Sequence, residues 1–473
     1  MRWRRNRVGW VGATLLLVSI FGVWQIVRLK LSVTTRDRVL AVIPSDLLVT
    51  APTSEESRKR FDDAFDTLSQ LKDQISSRSW KAGITKKAAL KLSNSLLANP
   101  VRLRLQEILR SGTISYDAQK LPPTDQEALM KFQMNRNMCS WVCMYAVQML
   151  AESGDYAGAL KLIDFCLLIS YRLDVGPCFR GSWTSQESRT SIYLAIHNLT
   201  QQADTPIWVC KAILDRLSPA PTVDQHLIDA IRLNFQSTTL EILPNPAKWL
   251  ANHPEATMKH NGMMGLLPDY LVGKYDPVQA AKRLARLEMI CLDNARKPLK
   301  QTNYEPESSS FSAFMSLPRE PEDTIPKSLR AIVGAERWVV SLAKNQNMIE
   351  SWMVSSIGIP QLNIQASCRW RAMLDVLRVQ IACRIFCFEH LNEWPSSERE
   401  SIPYLHSMWP TDPFDGKPLR FNRKKLVVYS VGSDCQDNGG KLSLTGSFHS
   451  DLGVSLVLKP KPTSISPFWT PRR

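Results

Sequence analysis

The chain has 473 residues, enough for two or three domains, each with its own core. Its 44% hydrophobic and 22% charged content lies near the globular norm and excludes a wholly disordered protein. The formal net charge of +15 would suit an anionic partner, either nucleic acid or a membrane surface, but part of the excess sits in local clusters at the two ends.

The first cluster, Arg2, Arg4, Arg5 and Arg7, precedes VGWVGATLLLVSIFGVWQIV, an uncharged run from Val8 to Val27. At 1.5 Å per residue such a run spans about 30 Å as a helix, the thickness of a bilayer's hydrocarbon core. Trp10 and Trp24 lie near its ends, where indole rings favour the headgroup level. The run ends in VWQIVRLKLSV, without the small-residue pair of a signal-peptidase site, and it lacks the Gly-Phe-Glu pattern of a prepilin leader. Residues 1–30 therefore read as a cytoplasmic stub and retained transmembrane signal anchor. The N-terminus is expected in the cytoplasm and everything after Lys30 outside it. Residues 31–54 read as a linker.

The ten cysteines do not form a disulfide framework by spacing. Cys139 and Cys143, like Cys383 and Cys387, sit four apart inside helical patterns, and Cys166, Cys291 and Cys368 lie in apolar contexts. They read as small buried hydrophobes.

Residues 55–343 read as a helical domain. SEESRKRFDDAFDTLSQLKDQI offers Ser54 as a cap, acids in the first turn, and Phe61, Phe65, Leu68 and Leu71 at helical intervals. NPVRLRLQEILRSG predicts a second, shorter helix. SWVCMYAVQMLAESGDYAGALKLIDFCLLIS predicts two helices broken at Gly154-Asp155-Tyr156, and it resembles one tetratricopeptide-type hairpin. TSIYLAIHNLTQQ and PIWVCKAILDRL offer a degenerate second pair. Hairpins packed as an irregular solenoid would make a protein-binding scaffold, against the alternative of a plain helical domain. A Ser-, Pro- and Glu-rich stretch over 303–328 predicts a long loop, with a further helix over 329–343.

From Ser367, CRWRAMLDVLRVQIACRIFCFEHLNEWP predicts a strong helix ended by Pro395. Trp370, Leu374, Leu377, Ile381, Ile385 and Phe388 form one apolar face, and Arg371, Asp375 and Arg378 fall on another at ion-pair spacing. WPTDPFDGKPLRF carries the turn pairs Asp412-Pro413 and Asp415-Gly416. KLVVYSV and LGVSLVLK predict two strands around the loop GSDCQDNGG. The fold class expected is thus mainly α with a small α+β C-terminal module over 367–458, followed by a basic, Pro-rich tail over 459–473.

The terminal order of helix, turn, strand, loop and strand resembles the globular part of type II secretion major pseudopilins and similar C-terminal segments of planctomycete- and verrucomicrobial-type bacterial proteins. Glu389, Trp394 and Pro395 match their helix exit. Trp409, Pro410, Asp412, Pro413 and Gly416 match a WP-DP-G-P turn, and Tyr429, Ser430, Gly432, Asp434, Gly439 and Gly440 match a YS-G-D-GG loop. The resemblance covers about a fifth of the chain. It implies a calcium ion in that loop, held by oxygens of Asp434, Asp437, Asn438 and Asp451, with Ser430 nearby. The competing account is that Asp, Asn and Gly are what a tight loop uses. More than three hundred residues separate the apolar run from the terminal helix, so a polymer built through the N-terminal helix is not expected.

The nucleophile elbow, HExxH, P-loop and dinucleotide-binding glycine motifs are absent from the sequence. His390 and Glu393 read as a solvated helix end, and RFNRKKL as a strand edge guarded by Lys and Arg rather than a phosphate site. No nucleic-acid partner is expected. Two functions remain. One is a non-enzymatic protein of the bacterial inner membrane with an envelope protein as partner. The other is an envelope hydrolase whose catalytic residues are dispersed through the helical region.

Overall fold

The computed structural model describes residues 37–47, 55–76, 85–111, 126–172, 179–237, 239, 277–302, 360–442 and 451–458. The apolar run over 8–27, the loop over 303–328, the helix over 329–343 and the basic tail lie outside them. Among the described residues no helix is long and apolar enough to cross a membrane.

Contacts divide the chain into two units. The smaller takes residues 1–49, 234–289 and 305–358. Its described part includes a 3-10 turn, Ser45–Leu47, with Val39, Ile43 and Leu47 buried, inside the stretch expected as a linker. The larger takes residues 50–233, 290–304 and 359–473. The terminal stretch thus shares one unit with the helical middle.

In chain order the helices are α1 (Glu55–Ser76), α2 (Lys86–Leu97), α3 (Pro100–Arg110), α4 (Gln126–Glu152), α5 (Tyr156–Arg172), α6 (Phe179–Gln201), α7 (Ile207–Arg216), α8 (Gln225–Ser237), α9 (Pro277–Ala295), α10 (Pro360–Glu389) and α11 (Glu398–Leu405). The two helices expected on either side of Gly154-Asp155-Tyr156 are α4 and α5. Asp155 caps the second helix, its Oδ1 accepting the Gly158 N–H at 2.8 Å. The degenerate second pair is α6 and α7. Thr205 closes α6 by donating its hydroxyl to the Leu199 carbonyl at 2.7 Å, and Pro206 sets the start of α7.

The terminal helix differs from its expected form. It begins at Pro360, ends at Glu389 well before Pro395, and is followed by α11, which periodicity did not indicate. Residues 372–387 are buried without interruption, so α10 has no solvent face along this stretch. It packs on α6, α7, α11 and the sheet. Asp375, Arg378, Gln380 and Arg384, which look like surface residues in the sequence, are all buried with it.

The sheet has three strands, β1 (Arg420–Asn422), β2 (Val427–Ser430) and β3 (Leu452–Ser455), ordered β1-β2-β3 and antiparallel throughout. The two strands expected are β2 and β3. The third lies in RFNRKKL, which forms the edge strand and the turn into β2. Leu456 continues the ladder by donating to the Leu426 carbonyl at 2.7 Å.

Seven of the nine described cysteines are buried, and all nine are free thiols. Burial raises the Cys139, Cys166 and Cys383 thiols, the state of an inert core residue rather than a nucleophile.

Candidate functional site

The turn after Trp409 and the loop after Ser430 come together at one end of the sheet. Asp412 links them. Its side chain is fully buried and accepts four hydrogen bonds. Oδ1 takes the Phe414 N–H and the Ser430 hydroxyl, each at 2.9 Å. Oδ2 takes the Val431 N–H at 2.9 Å and Arg420 Nη1 at 3.0 Å. Desolvation pushes this carboxyl above its usual range, and the N–H and hydroxyl donors hold it back.

The turn is also fixed from outside. The N–H groups of Leu299 and Lys300 donate to the carbonyls of Pro413 and Phe414 at 3.0 and 2.7 Å. Gly416 has φ +77°, and a Cβ there would meet Pro298 Cγ at 2.9 Å. Both the backbone angle and the close approach therefore call for glycine. Trp409 closes the turn by donating its indole N–H to the Leu419 carbonyl at 2.9 Å.

The structure brings Asp434, Asp437, Asn438 and Asp451 into one loop. Asp451, fully buried, accepts the N–H groups of Asn438 at 3.1 Å and Gly440 at 2.7 Å. Burial raises its pKa, and those N–H groups oppose the rise. Asp437 Oδ1 accepts the Gly439 N–H at 2.9 Å and the Tyr429 hydroxyl at 3.1 Å. Burial and that bond push Tyr429 up to about 12. Asp434 accepts the Gln436 N–H at 3.1 Å and the Asn438 amide at 3.3 Å.

These contacts bear on the calcium ion that the resemblance implies. Calcium takes six to eight oxygens converging on one point. Here the carboxylates converge on N–H and O–H donors instead. Four acids, Asp412, Asp415, Asp434 and Asp437, each accept the N–H of the residue two positions on, the geometry of an Asx turn. Among the described residues no group of three His, Cys, Asp or Glu side chains is disposed to hold a metal. As arranged, the carboxylates of Asp434, Asp437 and Asp451 are engaged by N–H groups of the loop itself and by the Tyr429 hydroxyl.

Sequence reasoning matched Asp412 to the turn motif without assigning it a role, and it left Arg420 as a guard of the strand edge. Arg420 pairs with both Asp412 and Asp415. Burial pushes Asp415 up, but the Arg420 guanidinium and the Lys417 N–H outweigh it and hold the carboxyl below the usual range. The only sequence signal was two acids followed within eight residues by an arginine on a predicted strand.

Of the histidines, His390 stacks on Phe386 at 3.8 Å, and its Nδ1 lies 2.9 Å from the Phe386 carbonyl at the helix end. His406 is exposed, 4.0 Å from the equally exposed Asp215. Elsewhere in the larger unit a small hollow opens between α6, α10 and β3. It is lined by Tyr193, His197, Met373, Leu377, Leu452 and Val454 among others, is partly open to solvent, and leaves about 20 Å³ of free space.

No family model matches the chain, and neither a curated protein nor a solved structure matches it.

Proposed function

We propose that the chain is a non-enzymatic, single-pass protein anchored in the bacterial inner membrane, with its bulk outside the cytoplasm. Its helical part would serve as a scaffold for an envelope protein, and its helix-plus-sheet end would resemble that of the pseudopilins. The observation that carries this over the hydrolase reading is the character of the hollow between α6, α10 and β3. A substrate site of ordinary kind has several hundred Å³ and convergent polar groups. This one holds only about 20 Å³, is mostly apolar and has no carboxylate among its lining residues. The larger hollow of about 490 Å³ along β1, lined by Glu398, Arg420, Arg423, Lys424 and Tyr429 among others, is a wide-open surface groove rather than an enclosing cleft. His197, its one imidazole, has Nδ1 2.8 Å from Gln380 Oε1 and ties α6 to α10.

The order of α10, turn, sheet and clasped loop supports the pseudopilin-like part, as does the internal bonding of the two motif stretches. The membrane part rests on the composition of residues 8–27 alone. Alkaline phosphatase and green fluorescent protein fused in turn after Arg473 test the placement. Phosphatase activity with no fluorescence is the expected result, and the reverse pattern overturns it. Hydrolysis of ester, phosphoester, peptide or glycoside substrates that is lost in His197→Ala would favour the hydrolase instead.

A further inference from the structure

We infer that Arg420 is the resident cation of the terminal loop and turn, doing with a guanidinium what a bound metal would do at a cluster of acids. The geometry is that of a clamp. Nη1 donates to Asp412 Oδ2 at 3.0 Å, to Asp415 Oδ1 at 3.1 Å and to the Pro418 carbonyl at 3.3 Å. Nη2 pairs with Asp415 Oδ2, and Nε lies 3.8 Å from Asp437 Oδ2. One cation thus serves three carboxylates from two separate stretches. Asp412 and Asp415 belong to the turn and Asp437 to the loop.

The setting makes the cation matter. Asp412 is fully buried, and the side chains of Asp415 and Arg420 are 4% and 17% exposed. Charges so placed are poorly screened by solvent, and unlike charges held close stabilise one another. A planar fork can bond two carboxylates at once, which a lysine ammonium matches poorly. A divalent ion at the same acids would face the guanidinium directly. Two lysines nearby are bonded differently: Lys425 donates Nζ to the Gly439 carbonyl, and Lys417, whose charge also favours the Asp415 carboxylate, is bonded to the turn through its backbone, its N–H donating to Asp415 Oδ1 and its carbonyl accepting from the Asp412 N–H. The inference stands on the contacts of Arg420 and is independent of the envelope reading.

Cys435 supplies a local reporter. Its half-buried thiol lies in the same loop, with Sγ 3.6 Å from the Phe414 carbonyl of the turn. The rate of its alkylation, read peptide by peptide by mass spectrometry on the full-length chain in mild detergent, measures opening of the loop. In the wild-type chain that rate is expected to be the same with millimolar calcium chloride and with excess chelator. Arg420→Met is expected to raise it severalfold. Should Arg420→Met not fold, Arg420→Lys keeps a charge but loses the fork, and a clear rise is expected there too. A wild-type rate slowed by calcium overturns the inference, as do unchanged rates in both variants.

Discussion

The helical core and the terminal sheet solve opposite problems with opposite charges. Each helix ends in carbonyls that have no partner within the helix. In the larger unit, buried arginines reach them. Arg102 donates to the carbonyls of Leu96 and Leu97 at the end of α2. Arg189 donates to Ser170 near the end of α5, and Arg384 to Thr200 of α6 and Thr205 just before α7. Arg378 donates to Leu217, just past α7, and to Leu405, the last residue of α11. The sheet end has the reverse need. Its tight turns leave N–H groups without ladder partners, and carboxylates accept them. The comparison teaches that these buried charges are placed by backbone geometry: arginine where carbonyls accumulate, aspartate where N–H groups do.

The largest effect that could break this comparison is at Asp412. Asp412→Ala strands the Phe414 and Val431 N–H groups, the Ser430 hydroxyl and one arm of Arg420 in a buried site. A loss of about 3–5 kcal/mol is expected, the range for removing one partner of a buried ion pair. The helical counterpart, Arg378→Met, leaves the Leu217 and Leu405 carbonyls without this donor and the buried Asp375 without its paired cation, while the methionine retains much of the packing. A loss of about 2–3 kcal/mol is expected there. Urea unfolding of the two variants ranks them. Were Arg378→Met the costlier, the sheet end would not depend on its carboxylates as described.

A third prediction sharpens the comparison by pH. Asp375 is an acid among the helices, in the region where carbonyls predominate. Burial pushes its pKa up to about 6, against the Ala220 N–H and Arg378, which favour the charge. Its folded pKa thus exceeds the unfolded value, so the proton binds the folded state more tightly. The associated stability is fully present below about pH 4 and is lost as pH rises through 6, by up to about 3 kcal/mol. Asp415 has the opposite sign: its depressed pKa contributes stability that is lost only as pH falls below the ordinary carboxylate range. Comparing wild type with Asp375→Asn isolates the first effect. The stability difference between them should change between pH 5 and pH 7.5. A flat difference would mean that Asp375 is not desolvated in the fold.

How much of this was legible in the sequence follows from where each partner lies. The hairpin of α4 and α5 was legible because its turn signal and both apolar patterns are local. The Asx turns were legible as turns, since each aspartate bonds the residue two positions on. The setting of α10 was not. Its apolar residues satisfy one helical face, and Asp375, Arg378 and Arg384 look like a solvated one. Yet the Arg378 partner Leu217 lies 161 residues away, and the Arg384 partner Thr205 lies 179 away. No periodicity within α10 carries that information. The strand β1, only three residues long, was legible as a guarded strand edge but not as a third strand of the sheet. The role of Arg420 was hidden because its acids are shared between two stretches that meet only in the fold.

The smallest effect tests whether the turns differ as the two regions do. Gly154, between α4 and α5, has φ +88°, and a Cβ there would meet nothing within 4 Å. Ser153 N–H donates to Met149 and Asp155 N–H to Leu150, closing the end of α4. Gly154→Ala therefore meets only the backbone cost of a left-handed alanine, about 1 kcal/mol. Gly416 has a similar angle, φ +77°, but faces Pro298 at 2.9 Å inside the clasped turn. Gly416→Ala adds a steric clash to the same backbone cost, so it should lower the melting temperature further than Gly154→Ala. Equal shifts would mean that the turn at Gly416 yields freely. The contacts of Leu299 and Lys300 with Pro413 and Phe414 would then be too weak to hold the terminal end against the helices.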